Sequence, residues 1–414
     1  MKNFYNFKVD NIKDLSVQEK EFRNKELDLF SKNGFPNKRE EAWKFTDLNT
    51  ILSKNFTNIT NDYISLKEKK FELIKEFDHN YLFVLDGKLV SNEFKFEDKN
   101  KVLIKEYDYK KQISVSNQNS LNLLNNALAT GGYYLEISKD YKFKKPLVVY
   151  NHFSESIKEQ IVSYKNSLIL NENSELTIIN YTDTNSKNNF FVNSFDYLKL
   201  KKDSNLKNIF INKDRCNCYF HNYLKSDLER NTNLDNYILS TGLKFNKIDI
   251  EINLNEEHAK SSIFSALSLG SEEHQEIKSS INHNFKNCQS YQKIKNVLND
   301  QSTGVYQGKI FVKQEAQKTD AYQLSKALLL NDNAEFDAKP ELEIYADDVK
   351  CSHGSTSGSI DLNSIHYLKS RGIPEKEAYQ MLISGFLSEI LEKLPEDDLK
   401  KFLIEKIGRQ INGC

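Results

Sequence analysis

The chain has 414 residues, 58 basic and 59 acidic, for a formal net charge of −1; 38% are hydrophobic and 12% aromatic. That length exceeds what one core usually serves, so a large central domain with smaller attached units is expected. The 14 Gly and 5 Pro are too few for long disordered linkers. The balanced charge leaves no footprint for nucleic acid or an anionic membrane, and no apolar run approaches the ~20 residues needed to cross a bilayer.

The opening residues lack the apolar core and small-residue cleavage site of a signal peptide, so a cytoplasmic protein is expected. Residues 1 to about 75 read as helical. Phe22, Leu27, Leu29 and Phe30 recur at helical spacing, and Gly34-Phe35-Pro36 breaks the pattern. The charged run at 38–48 holds the only Trp. Trp43 and Phe45 would anchor it to the body or dock a partner, anchoring being the simpler reading. At 81–90 two apolar runs flank Asp86-Gly87, a hairpin signal. Residues 121–129 predict one further helix, closed by Gly131-Gly132.

From about 133 to 344, short β-type runs alternate with Asn/Asp/Ser clusters. Three segments, at 170–176, 200–206 and 330–336, share a template: Leu, a polar turn, a small residue four on, an apolar residue two later. A β-solenoid turns its corners this way, since the small residue lets the backbone pass and the apolar one re-enters the core. The spacing is irregular, so a jelly roll or sandwich stays open. The last segment returns to helix. Pro374 suits a first helical position, and Ala378, Met381, Leu382, Gly385, Phe386, Ile390 and Leu394 follow as one apolar face. Residues 395–398 stop this helix and begin another. The division is a mainly helical region with a hairpin (1–130), a β-helix core (131–368) and a helical end (369–414).

Chemistry concentrates after 339. Leu342, Ile344 and Ala346 alternate with Glu341, Glu343 and Tyr345 as in a strand. Cys351 and His353 follow, two apart, and so project from one side of an extended chain. Thiolate and imidazole suit a borderline-soft metal such as iron, although a buried Cys beside a hydrogen-bonded His would look the same. Cys216, Cys218 and His221 form a weaker metal candidate, more simply read as small core residues. Cys288 stands alone and Cys414 is terminal. Five cysteines at irregular spacing do not make a disulfide framework, so reduced thiols are expected. There is no glycine-rich phosphate loop, dinucleotide fingerprint or nucleophile elbow. Asp347 and Asp348 are adjacent and would face opposite ways, which is poor geometry for a glycosidase pair.

Several motifs carry a family resemblance: Val305-Tyr306-Gln307-Gly308-Lys309-Ile310, Ala316-Gln317-Lys318-Thr319-Asp320-Ala321-Tyr322-Gln323, the run from Lys339-Pro340-Glu341 to Cys351-Ser352-His353-Gly354, and Tyr367-Leu368-Lys369-Ser370-Arg371-Gly372-Ile373. In order and spacing these resemble the SufB/SufD family of iron–sulfur cluster assembly subunits. Lys350-Cys351-Ser352-His353-Gly354 is similar to the SufD branch, and Trp43-Lys44-Phe45-Thr46 resembles its amino-terminal motif. Ser355 and His366 depart from the family pattern. The resemblance implies a right-handed parallel β-helix with helical ends, a non-catalytic scaffold, a SufB-like paralogue as partner, and a SufC-like ABC ATPase docked near Pro374, Met381, Leu382, Phe386 and Ile390. It also implies that His353, with Cys351 beside it, handles a cluster at the shared interface, and that the isolated chain binds none stably. Alone, the same edge could pair with a second copy. Two other readings are a β-helix carbohydrate-active enzyme and a self-contained metalloprotein.

Overall fold

The computed structural model of the protein describes residues 4–62, 71–109, 119–212, 216–392, 394 and 397–411. Cys414 and residues 395–396, where the helix break was expected, lie outside them. Two sheets dominate, one of nine strands and one of ten, and the chain alternates between them. Every pairing from Leu147–Phe153 onward is parallel. Parallel neighbours need a crossover, and here each crossover is a strand of the other sheet. The result is the expected β-solenoid, of about 7 turns. Glu175, Asn205, Asn233, Lys260, Gln289, Asp320 and Lys350 stand in one column, so a coil takes 27 to 31 residues.

The corner chemistry is visible at residue level. Asn173, Asp203, Asn231, His258, Asn287 and Lys318 all have φ between 55° and 62°. Each precedes a buried small residue: Ser174, Ser204, Thr232, Ala259, Cys288 and Thr319. The carbonyls of the first five of these accept N–H bonds from the next coil, at 2.8–3.1 Å. Asn and Asp tolerate the left-handed conformation, and a small side chain lets successive backbones stack. Two of the three template copies sit in this column. The third belongs to the opposite corner, where Asn331 stacks on Asn299 at 3.1 Å. Both corners make the same reversal, so one local pattern serves either.

The Asp86-Gly87 hairpin forms as expected, with φ of 51° and 80° between strands Asn80–Leu85 and Lys88–Glu93. Its first strand pairs in parallel with Leu147–Phe153, and Val102–Glu106 pairs with Tyr133–Ile137, so the amino-terminal region supplies the first strands of both sheets. Gly132 (φ 119°) is needed for close passage, because a Cβ there would lie 1.7 Å from the Lys165 carbonyl oxygen.

Inside the coil, Leu170, Leu200, Leu228 and Leu254 stack in register, each fully buried. The two helical regions cover opposite outer faces. Helix Val17–Asn33 starts with a Ser16–Glu19 capping box. Its Phe30 joins Trp43 and Leu48 in a cluster with Phe191, Tyr219 and Phe245 of the nine-stranded sheet. Helices Leu362–Ser370, Glu375–Ser388 and Asp397–Ile411, with the short 3-10 turn Glu389–Leu391, bury Ile365, Ile383, Leu387, Leu391, Phe402 and Leu403 against the ten-stranded sheet.

Candidate functional site

The first coil is capped by antiparallel strands, but the last coil is left open. Strand Val349–Ser359 ends the ten-stranded sheet and Glu335–Ile344 ends the nine-stranded one. Among the described residues, no strand pairs with either outer edge. Every residue of both strands is half-buried or exposed, Ile344 at 37%, and Tyr345 just beyond the second is 59% exposed, whereas earlier strands are mostly buried.

Backbone direction can be read from the flanking bonds. The Lys318 N–H donates to the Asp348 carbonyl, so residue 348 faces the neighbouring strand. Alternation then turns residues 350, 352, 354, 356 and 358 inward to the sheet. The N–H and C=O groups of Cys351, His353, Ser355, Ser357 and Ser359 are turned to the open edge. On the other sheet, Glu335 and Tyr345 donate to Ser302 and Val312, so the even residues face outward. Pro340 is one of these, and its missing N–H costs the native ladder nothing.

Register places the candidate pair at the mouth of the solenoid interior. Cys351 continues the column Leu176, Leu206, Leu234, Ser261, Ser290, Ala321. His353 continues Ile178, Asn208, Asn236, Ile263, Gln292, Gln323. The interior turns polar toward this end. The Tyr306 hydroxyl lies 3.1 Å from Gln292 Oε1 and 3.0 Å from Gln323 Oε1, and Gln323 Nε2 donates to the Glu341 carbonyl. Cys351 is half-buried against a small cluster of Ile310, Val312 and Ala321. Burial, then the Asp320 carboxylate, push its thiol pKa up. His353 is exposed. Neither is sealed in an apolar interior. On the outer side, Glu343 pairs with Lys309 at 2.5 Å and accepts from Tyr345 at 2.8 Å. Lys339 bridges Glu341 and Glu41.

In the second cluster His221 is kept apart from the two cysteines. Cys218 points inward among Phe153, Phe190 and Phe220, while Tyr219 and His221 face the other way, as the two-residue period of a strand requires. His221 is fully buried, with Nδ1 2.9 Å from Asn193 Oδ1 and Nε2 3.2 Å from Asp249 Oδ2. Cys216 and Cys218 are bonded to each other (S–S 2.11 Å), against the expectation of reduced thiols. Cys288 fills a corner slot, its thiol pushed up to about 11 by burial. Among the described residues, no three His, Cys, Asp or Glu side chains are grouped to hold a metal.

The helical end differs from its sequence reading in rotation. Pro374 caps helix Glu375–Ser388 from outside it, and the buried stripe is Ala378, Ile383 and Leu387, continued by Ile390 and Leu391. Ile390 is therefore covered by the chain itself. Leu382 and Phe386 are half-buried, and Met381 (53%), Tyr367 and Leu362 are the exposed apolar groups. Strand lysines clamp this unit. Lys293 and Lys295 both pair with Glu389, and Lys295 Nζ also donates to the Phe386 carbonyl and sits 4.4 Å from its ring. These contacts hold the Glu389 carboxyl down to about 2.

Sequence reasoning missed one buried polar cluster. Lys247 and Glu276, both fully buried, pair beneath Trp43, whose ring lies 4.5 Å from Lys247 Nζ. Lys247 donates to the Ala42 carbonyl, and Thr46 and Gln307 donate to Glu276. Trp43 thus anchors the amino-terminal segment. The charged partners come from strands 29 residues apart, so no local signal announces them.

A parallel solenoid whose last coil is uncapped among the described residues presents an open edge, with a thiol and an imidazole on its last strand. Residues 152–386 match the SufBD core domain of the SUF iron–sulfur cluster assembly system, and residues 2–149 match the SufBD protein N-terminal region. The chain belongs to the SufB/SufD family, and its role lies in iron–sulfur cluster assembly. It is 29% identical over 394 residues to the iron–sulfur cluster assembly protein SufD of Escherichia coli, covering 94% of this chain and 92% of that protein. A SufBD family protein of Synechocystis is 24% identical over 390 residues, 89% and 86% of the two chains. SufD of Bacillus subtilis is 36% identical over 115 residues, 28% of this chain and 26% of that one. Among the described residues, no helix is long and apolar enough to cross a membrane.

Proposed function

We propose that this chain is the SufD-type scaffold subunit of a cluster-assembly complex. It pairs through its open end with a SufB-like paralogue, receives a SufC-like ABC ATPase on its carboxy-terminal helices, and performs no turnover itself. The observation that carries this reading is the uncapped last coil, with a row of outward backbone groups on the strand that bears Cys351 and His353. A partner strand can complete such an edge by β-augmentation. Cluster or iron is the cargo at that seam. Cys351 and His353 project to one side about 7 Å apart along the strand. Two donors are too few for a tetrahedral iron site, so the paralogue supplies the rest. Lacking a partner, the open edge pairs with a second copy.

Exposed Met381 and Tyr367 are the surface offered to the ATPase, while Ile390 holds the helix to the body. A substitution at Met381 tests docking better than truncation after Ile373, which would strip Leu391, Phe402 and Leu403 from the core. The decisive experiment co-expresses the chain with its paralogue and ATPase. His353→Ala should leave the complex assembled but lower its iron and visible cluster absorbance. Unchanged cluster content in that variant ends the ligand role, and failure to isolate any complex with the wild-type chain ends the scaffold reading.

A further inference from the structure

The bonded pair Cys216–Cys218 plays no part in the scaffold described above. In a regular strand, residues i and i+2 stand about 6.6 Å apart. Here the pairing with the next strand slips, since Cys216 opposes Leu243 but Tyr219 opposes Phe245. Three steps along one strand therefore match two along the other, a β-bulge. It brings the two Cα atoms to 5.3 Å, inside the range a disulfide spans.

The two residues are unequally exposed. Cys218 is 1% exposed, enclosed by Phe153, Val162, Phe190, Val192 and Phe220, whereas Cys216 lies at the rim of that cluster and is half-buried. The Cys216 N–H also donates to the Gly242 carbonyl at 2.8 Å, tying the bulge to the neighbouring corner.

We propose that Cys216 and Cys218 form a reversible redox pair, entered by small thiols only through Cys216. A thiolate attacks the Cys216 sulfur and forms a mixed disulfide there. Cys218 leaves as a thiolate and takes up a proton, because an apolar enclosure disfavours the charged form. A second thiol then cleaves the mixed disulfide. In sum, the protein disulfide and two small thiols give two protein thiols and one small-molecule disulfide. Reduction removes the cross-link that holds the bulge, and the Cys216–Gly242 bond is the contact best placed to respond.

The test equilibrates the full-length protein in glutathione buffers of graded reduced-to-oxidised ratio, quenches in acid, alkylates and maps the peptides by mass. The peptide bearing both residues should pass from no alkyl groups to two across the series. Single variants locate the entry point: with oxidised glutathione, Cys218→Ala should carry one adduct on Cys216 and Cys216→Ser none on Cys218. Two alkylated thiols at every ratio would overturn the pair. Adducts of similar yield on both variants would overturn the one-sided entry. The wild-type titration stands even if a variant folds poorly.

Discussion

A proline placed on the last strand separates an edge used by the fold from one left for a partner. The Ser357 N–H is turned to the open side, and the residue is exposed. Ser357→Pro therefore removes no bond from the native ladder, and proline suits an extended backbone. For a strand arriving from a partner, however, one donor is gone and the ring stands in its path. At about 1 kcal/mol net per hydrogen bond, with one or two bonds lost, pairing should weaken roughly 5- to 30-fold. Thr356→Pro is the contrast. Residue 356 faces strand Thr319–Leu329, so its proline breaks the chain's own ladder, and stability should fall. Size-exclusion chromatography with light scattering, alone and mixed with the SufB-like paralogue, reads association, and thermal unfolding reads the fold. Normal association of folded Ser357→Pro would refute augmentation at this edge. So would a Thr356→Pro protein as stable as wild type, since the assignment of faces would then be wrong.

Removing Glu276 as Gln strands the Lys247 ammonium in a fully buried site, and should cost about 3 kcal/mol in urea unfolding; the double variant with Lys247→Met should cost less than the two single changes summed. Burial pushes His283 down to about 4, so the folded protein leaves it neutral where the unfolded chain takes up a proton. Stability should therefore fall as pH drops from about 6.5 to 4, by up to roughly 3 kcal/mol from this residue, and unfolding at pH 7 and 4.5 compared with His283→Gln measures it. Glu389 is the opposite case: its carboxyl is held at about 2, so its contribution is complete at neutral pH and lost as pH falls from about 4.5 through 2. With its side chain 40% exposed, screening reduces the effect, and Glu389→Gln should cost about 1–2 kcal/mol, with faster hydrogen exchange confined to Glu375–Ser388.

Local chemistry made much of the fold legible. The helical spacing of Phe22, Leu27, Leu29 and Phe30 and the break at Gly34 marked the first helix, Asp86-Gly87 turned the first hairpin, and the Leu–turn–small–apolar template marked the corners. These features rest on φ preferences and contacts within a few residues. The template missed Ala259, Cys288 and Thr319 because their turns run five to seven residues beyond the strand end, and Ser261, Ser290 and Ala321 stand where it expects a large apolar residue. The helical face at 378–394 was misjudged for a related reason. Apolar residues such as Met381 and Ile383 lie all round it, and only the sheet beneath selects which are covered.

The motif around Cys351 and His353 could likewise be read in the chain, but its meaning could not. That a thiol and an imidazole share one side of a strand follows from side-chain alternation, which is local. That this strand ends the stack, with its outer backbone groups unmatched among the described residues, and that Pro340 stands where no donor is missed, follow from the assembled fold. It also decided that Trp43 would be covered by Lys247 and Glu276, and that a bulge would join Cys216 to Cys218. Register between coils some 30 residues apart settles each of these, and register is a property of the stack as a whole.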